Sequence, residues 1–225
     1  STLVNCLNRY LVPPPGSVKL GDRKLDELSF SDVRRSIRTV TQEPFLFSDT
    51  VRENIRFTLP EADGSSEKTL VRVLHTAALK EEVQRFPKQT ETLVGEKGIM
   101  LSGGQKQRIS LARAITEPCD LLILDNVLSA VDYETERFLL REVHQLLRPD
   151  ADGKALVQAL LIVSHRVTSM ERADHILVLD EGRIVDQGTH AELVRRPGDY
   201  QQMWRLQNGS PAPETPQASQ LAPVV

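Results

Sequence analysis

Ser102-Gly103-Gly104-Gln105 puts a hydroxyl, two residues without Cβ and an amide at the start of a helical pattern. Ser102 with Gln105 three residues on has capping-box spacing, each side chain bonding the other residue's main chain. Ile109, Ala112 and Ile115 then recur at helical spacing. A helix starting here presents main-chain N–H groups and the positive end of its dipole, and glycine lets an anion approach them closely. That is the chemistry of a phosphate clamp, with the Ser102 hydroxyl as one more donor. Taken alone, the same four residues also fit a glycine turn opening an ordinary capped helix. Other polar groups follow short apolar runs. Leu121-Leu122-Ile123-Leu124 ends in Asp125-Asn126, and Leu160-Leu161-Ile162-Val163 ends in Ser164-His165-Arg166. Such runs suit buried parallel strands, and an acid at the carboxyl end of one sits where open α/β sheets bind ligands. In isolation Asp125 fits a turn cap, and His165 an incidental loop histidine.

These groups need elements to hold them. Ser1-Thr2 with Leu3, Val4, Leu7 and Leu11 predicts an amphipathic helix, ended by Pro13-Pro14-Pro15-Gly16. Gly21-Asp22 is a hairpin turn between Ser17–Leu20 and Lys24-Leu25. Ile37-Arg38-Thr39-Val40-Thr41 is a β-branched strand that stops at Gln42-Glu43-Pro44. A helical lobe follows: a short helix from Thr50, a polar loop from Pro60 to Ser66, and an amphipathic helix on Leu70, Val73, Leu74, Ala77 and Ala78. His75 beside that stripe reads as a packed or surface histidine, and Glu81 to Phe86 as another short helix. Asp132 is a good N-cap with Glu134 and Glu136 in the first turn, and Leu139, Leu140, Val143, Leu146 and Leu147 give the next helix its buried face. Beyond a polar break at Asp150–Lys154, Ile176-Leu177-Val178-Leu179 is a strand turning at Asp180-Glu181-Gly182-Arg183 into Ile184-Val185. Thr189 and Glu192 make a second capping box, and a last helix covers Asp199 to Leu206. From Asn208 the chain loses periodicity and is expected to be disordered.

The 225 residues suffice for one substantial domain, and 40% hydrophobic with 26% charged residues is ordinary for a globular protein. A net charge of −3 makes no case for nucleic-acid binding. Cys6 and Cys119 lack metal-ligand spacing and read as buried or incidental thiols in a reducing compartment. No apolar run approaches the roughly 18 residues of a membrane span.

Leu101-Ser102-Gly103-Gly104-Gln105-Lys106-Gln107-Arg108 resembles the signature motif of ATP-binding-cassette (ABC) ATPases, a loop that crosses a dimer interface to hold the partner's ATP. Other motifs match in the family's order. Ser1-Thr2 resembles the end of a P-loop, G-x-x-x-x-G-K-[ST], cut after the lysine. Thr41-Gln42-Glu43-Pro44 resembles the Q-loop, Asp125 the Walker B acid, Ser129-Ala130-Val131-Asp132 the D-loop, and His165 the switch histidine. Thr92–Gly98 is similar to the exporter-specific loop, with Leu93 where a glutamate is usual; Asp186–His190 also looks exporter-like. The resemblance covers residues 1–207. It implies an α/β P-loop NTPase with a RecA-like core (1–47 and 116–207), an inserted α-helical subdomain (48–115) carrying the signature, and a disordered tail at 208–225. The core's early strands and phosphate loop would lie before residue 1, so the chain is expected to be truncated within Walker A.

The resemblance implies ATP and Mg²⁺ as ligands. Ser1, Gln42 and Asp125 are expected on the metal, Ser1, Thr2, Ser102, Gly103, Gly104, Gln105 and Asp132 on nucleotide, and Gln42, Asn126 and His165 at the reacting centre. One departure stands out: Asn126 occupies the position of the glutamate that polarises the attacking water, and an amide cannot accept a proton near neutral pH. The site built on Ser1, Asp125 and His165 is therefore expected to bind ATP and hydrolyse it slowly, while the intact signature serves a second ABC cassette in a heterodimer. Transmembrane domains in the same or another chain are the implied partners, at the cytoplasmic face of a membrane, with no nucleic acid. A non-transport ABC ATPase (SMC-like or translation-associated) and an inactive fragment remain the alternatives. Phe45 to Phe47 is expected either to couple to the transmembrane part or to join the core.

Overall fold

The computed structural model describes residues 2–57, 64–95 and 98–209. The chain divides into two compact units, Ser1–His165 and Arg166–Val225.

In the first unit, helix α1 (Thr2–Leu7) buries Val4. The leucine pattern predicted a helix running on to Leu11, but Arg9 turns left-handed at φ 56°. Arg9 N–H then donates to Cys6 O at 3.1 Å and Tyr10 N–H to Asn5 O at 2.8 Å, the paired bonds of a Schellman end. Strands β1 (Lys19–Leu20) and β2 (Arg23–Lys24) form the expected hairpin, with Gly21 at φ 59°. Helix α2 (Phe30–Ser36) is an addition to the sequence reading; Ser29 caps it, its hydroxyl accepting Asp32 N–H at 3.1 Å. It runs straight into β3 (Ile37–Val40). Helix α3 (Val51–Arg56) starts on Thr50, whose hydroxyl accepts Glu53 N–H at 3.0 Å.

Helix α4 (Gly64–Thr76) begins inside the expected Pro60–Ser66 loop, of which residues 60–63 lie outside the described residues. Leu70, Val73 and Leu74 are buried as predicted. Ala78 falls beyond the helix at φ 52°, because Leu79 N–H bonds back to Leu74 O at 2.8 Å. His75 is a surface residue against Glu142 and the Phe138 ring edge. Helices α5 (Lys80–Arg85) and α6 (Gly103–Ala114) complete the lobe.

Strand β4 (Cys119–Asp125) follows, then α7 (Tyr133–Gln145) and β5 (Val157–Val163). β3, β4 and β5 make a parallel sheet in that order. Side chains of β4 alternate between two cores, the signature of a sheet covered on both faces. Leu122 and Leu124 join a large cluster with residues of α3–α7, whereas Ile123 joins Val4, Leu25, Leu28 and Val33 on the other face. β5 begins at Val157, ahead of the expected Leu160, and Leu160–Val163 are half-buried where a buried strand was expected. β5 is an edge strand among the described residues, so it is packed from fewer sides than β4. Cys119 is buried and its thiol pushed up to about 11 by desolvation; both cysteines are free.

The second unit pairs β6 (Ile176–Asp180) with β7 (Arg183–Gly188) around Glu181 and Gly182, both at positive φ. This is the expected hairpin. The Thr189–Glu192 capping box opens α8 (His190–Arg195), and α9 (Asp199–Gln207) follows. Ile176, Val178, Leu193, Tyr200 and Val167 form its core. Of the tail read as disordered, residues 210–225 lie outside the described residues.

Candidate functional site

The parallel register sets which side chains share one end of the sheet. Val40 pairs with Leu124, and Asp125 with Val163. Gln42, Asp125-Asn126 and Ser164-His165 therefore leave three neighbouring strands at their carboxyl ends, the edge where α/β sheets bind ligands. Asp125 is 8% exposed, whereas Gln42 and His165 are exposed.

Asn126 is held by its main chain. It lies in the left-handed region at φ 53°, ψ 30°, which asparagine tolerates better than most residues. Its N–H donates to Val163 O at 2.8 Å, extending the ladder past Asp125, and its carbonyl accepts the Ser129 hydroxyl at 2.9 Å. A 3-10 turn, Val127–Ala130, then leads to Asp132. Asp132 caps α7: its carboxylate accepts Thr135 N–H at 3.0 Å and the Thr135 hydroxyl at 2.7 Å. These bonds hold it below the usual carboxylate range.

The signature stretch forms the predicted capping box. Ser102 Oγ accepts Gln105 N–H at 3.2 Å, and Ser102 N–H donates to Gln105 Oε1 at 2.9 Å. The two glycines have different reasons to be glycine. A Cβ on Gly103 would meet open space, as the anion-approach argument requires; a Cβ on Gly104 would lie 2.7 Å from Ala130 O. Gly104 is thus needed for packing against the turn that follows Asn126, a role beside the ligand approach expected from the sequence.

The body of α6 grips the segment after β3. Gln107 Nε2 donates to Gln42 O at 2.9 Å. Arg113 donates to Phe45 O at 3.1 Å and to Asn54 O at 2.6 Å. Asn54, fully buried, in turn accepts Phe47 N–H at 2.9 Å and donates to Phe47 O at 3.0 Å. At the other end of α6, Arg72 donates to Ile115 O at 3.0 Å, a cation at the negative end of the dipole. The sequence reading gives no role to Gln107, Asn54, Arg72 or Arg113. Gln107 stands inside the quoted motif, but no spacing rule links it to Gln42, 65 residues away. Phe45 and Phe47 are 69% and 37% exposed, so they stand at the surface of the unit. Thr2 is exposed at the start of α1, and Ser1 lies outside the described residues.

Residues 1–129 match the family model described as ABC transporter. The chain is 37% identical over 207 residues to an ATP-dependent lipid A-core flippase of Chromohalobacter salexigens, covering 92% of this chain and 34% of that protein. It is 39% identical over 208 residues to the flippase of the same name from Burkholderia thailandensis, covering 92% and 33%. The chain spans about a third of the length of these curated relatives. Among solved structures it resembles a bacterial Atm1-family ABC exporter with ATP bound, at a TM-score of 0.80 and 30% identity, covering 92% of this chain and 35% of that one.

Proposed function

This chain belongs to the ABC transporter family, as an exporter-type nucleotide-binding domain on an α/β P-loop NTPase core, and on that premise we propose how it uses ATP. Two cassettes face each other head to tail, and each ATP sits between one subunit's strand ends and the other's signature loop. Ser102, Gly103, Gly104 and Gln105 of this chain serve the partner's nucleotide, through first-turn N–H groups that lack intrahelical acceptors. Thr2, Gln42, Asp125, Asn126 and His165, with Ser1, form the chain's own site, and Asp132 lies on the D-loop between the two. Water attacks the γ-phosphorus in line, the bond to the β–γ bridging oxygen breaks, and ADP and phosphate leave. Binding closes the dimer and hydrolysis opens it.

The observation that carries the finer reading is Asn126. It follows Asp125 directly, at the end of β4, in a backbone conformation that suits it. Its amide can orient water but cannot accept a proton. We assign this chain the slow half of a heterodimer whose partner cassette supplies a glutamate there.

Magnesium fits the residues present. Gln42 and Asp125 offer two hard oxygen donors at the ends of adjacent strands, and Mg²⁺ completes its shell with waters and substrate phosphates. The described residues hold no group of three His, Cys, Asp or Glu suited to a metal on its own. Once bound it would neutralise phosphate charge; Asp125 and Gln42 would hold it.

No helix among the described residues is long and apolar enough to cross a membrane. The exposed rings of Phe45 and Phe47 offer a contact for transmembrane domains at the cytoplasmic face, with an amphiphilic lipid as the first cargo to assay. Single-turnover ATP hydrolysis by the full-length protein, alone and with its partner cassette, tests the assignment. Slow turnover alone that the partner restores supports it; turnover at a normal exporter rate without a partner overturns it.

A further inference from the structure

The first turn of α6 has a support outside its own motif. Gln105 uses both ends of its side-chain amide: Oε1 accepts Ser102 N–H at 2.9 Å, closing the capping box, and Nε2 donates to Glu82 Oε2 at 3.1 Å. The other Glu82 oxygen accepts Arg108 Nη2 at 2.6 Å. Arg108 is only 8% exposed, and it also donates from Nη1 to Ala78 O at 2.7 Å and from Nε to Gly104 O at 3.3 Å. One carboxylate on α5 therefore faces a neutral amide and a buried cation, both on the first turns of α6.

We propose that Glu82 is a positioning residue for the nucleotide-facing end of α6: it fixes which way the Gln105 amide points and so keeps the capping box closed. Were the amide reversed, its NH₂ would face the Ser102 N–H and its oxygen the Glu82 carboxylate, two donor–donor and acceptor–acceptor clashes in place of two bonds. Glu82 excludes that state. It also compensates the Arg108 charge, whose burial without a counter-ion would be costly. The consequence is a rigid first turn whose free N–H groups point one way before any anion arrives. Preorganised donors bind without losing conformational freedom at that moment. The inference rests on the reading that this turn binds the partner site's ATP.

The test is a side-chain exchange in the full-length protein with its partner cassette, reading KM for ATP, kcat and Tm. Glu82→Gln sets its amide NH₂ against that of Gln105, and Gln105→Glu sets a carboxylate against Glu82. The double variant restores a donor facing an acceptor, and the carboxylate it places on α6 can still close the box. Each single change is expected to raise KM about tenfold with kcat within about twofold, and the double to return KM to within about threefold of the parent. A KM unmoved by Glu82→Gln, or a double variant no better than either single, overturns the proposal. So does a loss of Tm that explains the whole effect. If Glu82→Gln does not fold, Glu82→Asp keeps the charge on a shorter arm; KM is expected to rise about threefold, and an unchanged KM overturns the proposal. Gly103→Val separates the two levels, since its side chain enters open space on the approach face. If it leaves KM untouched, the nucleotide reading itself fails; if it raises KM while Glu82→Gln does not, only the Glu82 role fails.

Discussion

The signature turn at Ser102–Gln105 and the strand end at Asp125-Asn126 are held in opposite ways. The first is fixed by side chains, through the capping box and the Glu82 bridge, and by the lack of one at Gly104, which packs close to Ala130 O. The second is fixed by main chain: Asn126 N–H on Val163 O, its carbonyl on Ser129, and a left-handed φ of 53°. A turn held by side chains cannot change residue types without losing its shape. A turn held by backbone can exchange its side chain, and with it its chemistry, while the fold stays. That is the physical room in which position 126 can carry asparagine or glutamate without a change of fold.

Four outcomes sharpen or break this contrast. The largest is Asn126→Glu, expected to raise single-turnover hydrolysis at this chain's own site about a hundredfold, the worth of a placed general base. It should also cost about 1 kcal/mol of stability, because glutamate tolerates the left-handed region less well. A stability loss with no gain in rate would mean that another group positions the water. Next is Gly104→Ala, whose Cβ forces the α6 start away from Ala130 and should cost about 2 kcal/mol in urea unfolding. Gly103→Ala should cost nothing. Equal effects at the two glycines would remove the packing argument. Ser102→Ala should cost about 1 kcal/mol, a lost N-cap, and loosen ATP binding at the partner site. The smallest concerns acid. Thr135 holds the folded-state pKa of Asp132 below its ordinary value. Its cap therefore contributes fully above the unfolded pKa of about 3.9 and is lost as pH falls through the folded one. In urea midpoints followed down the pH scale, wild type should lose ground to Asp132→Asn only below about pH 3.9. A flat difference down to about pH 2 would mean the carboxylate is not the cap.

Much of this was legible in local pattern. The caps at Ser102, Asp132 and Thr189 appear where spacing placed them, because each is a bond between residues three apart. The strands at Leu121 and Ile176 lie where apolar runs marked them, and the strand at Ile37 where β-branched residues did. The helix ends at Leu7 and Thr76 were not legible: Arg9 and Ala78 take left-handed conformations that neither residue type signals. Helix α2 is hard to read although Ser29 and Asp32 have cap spacing, since seven residues leave little room for periodicity.

By itself the sequence determined the set of chemical groups, the order in which they occur along the chain, and the asparagine that follows Asp125, all of which are properties of residue type and short spacing. Only the tertiary structure decided that Gly104 answers to Ala130, Gln107 to Gln42, and Gln105 and Arg108 to Glu82. Those partners lie 23 or more residues apart. Their meeting depends on how α5, α6 and the parallel sheet pack, and no local propensity encodes that.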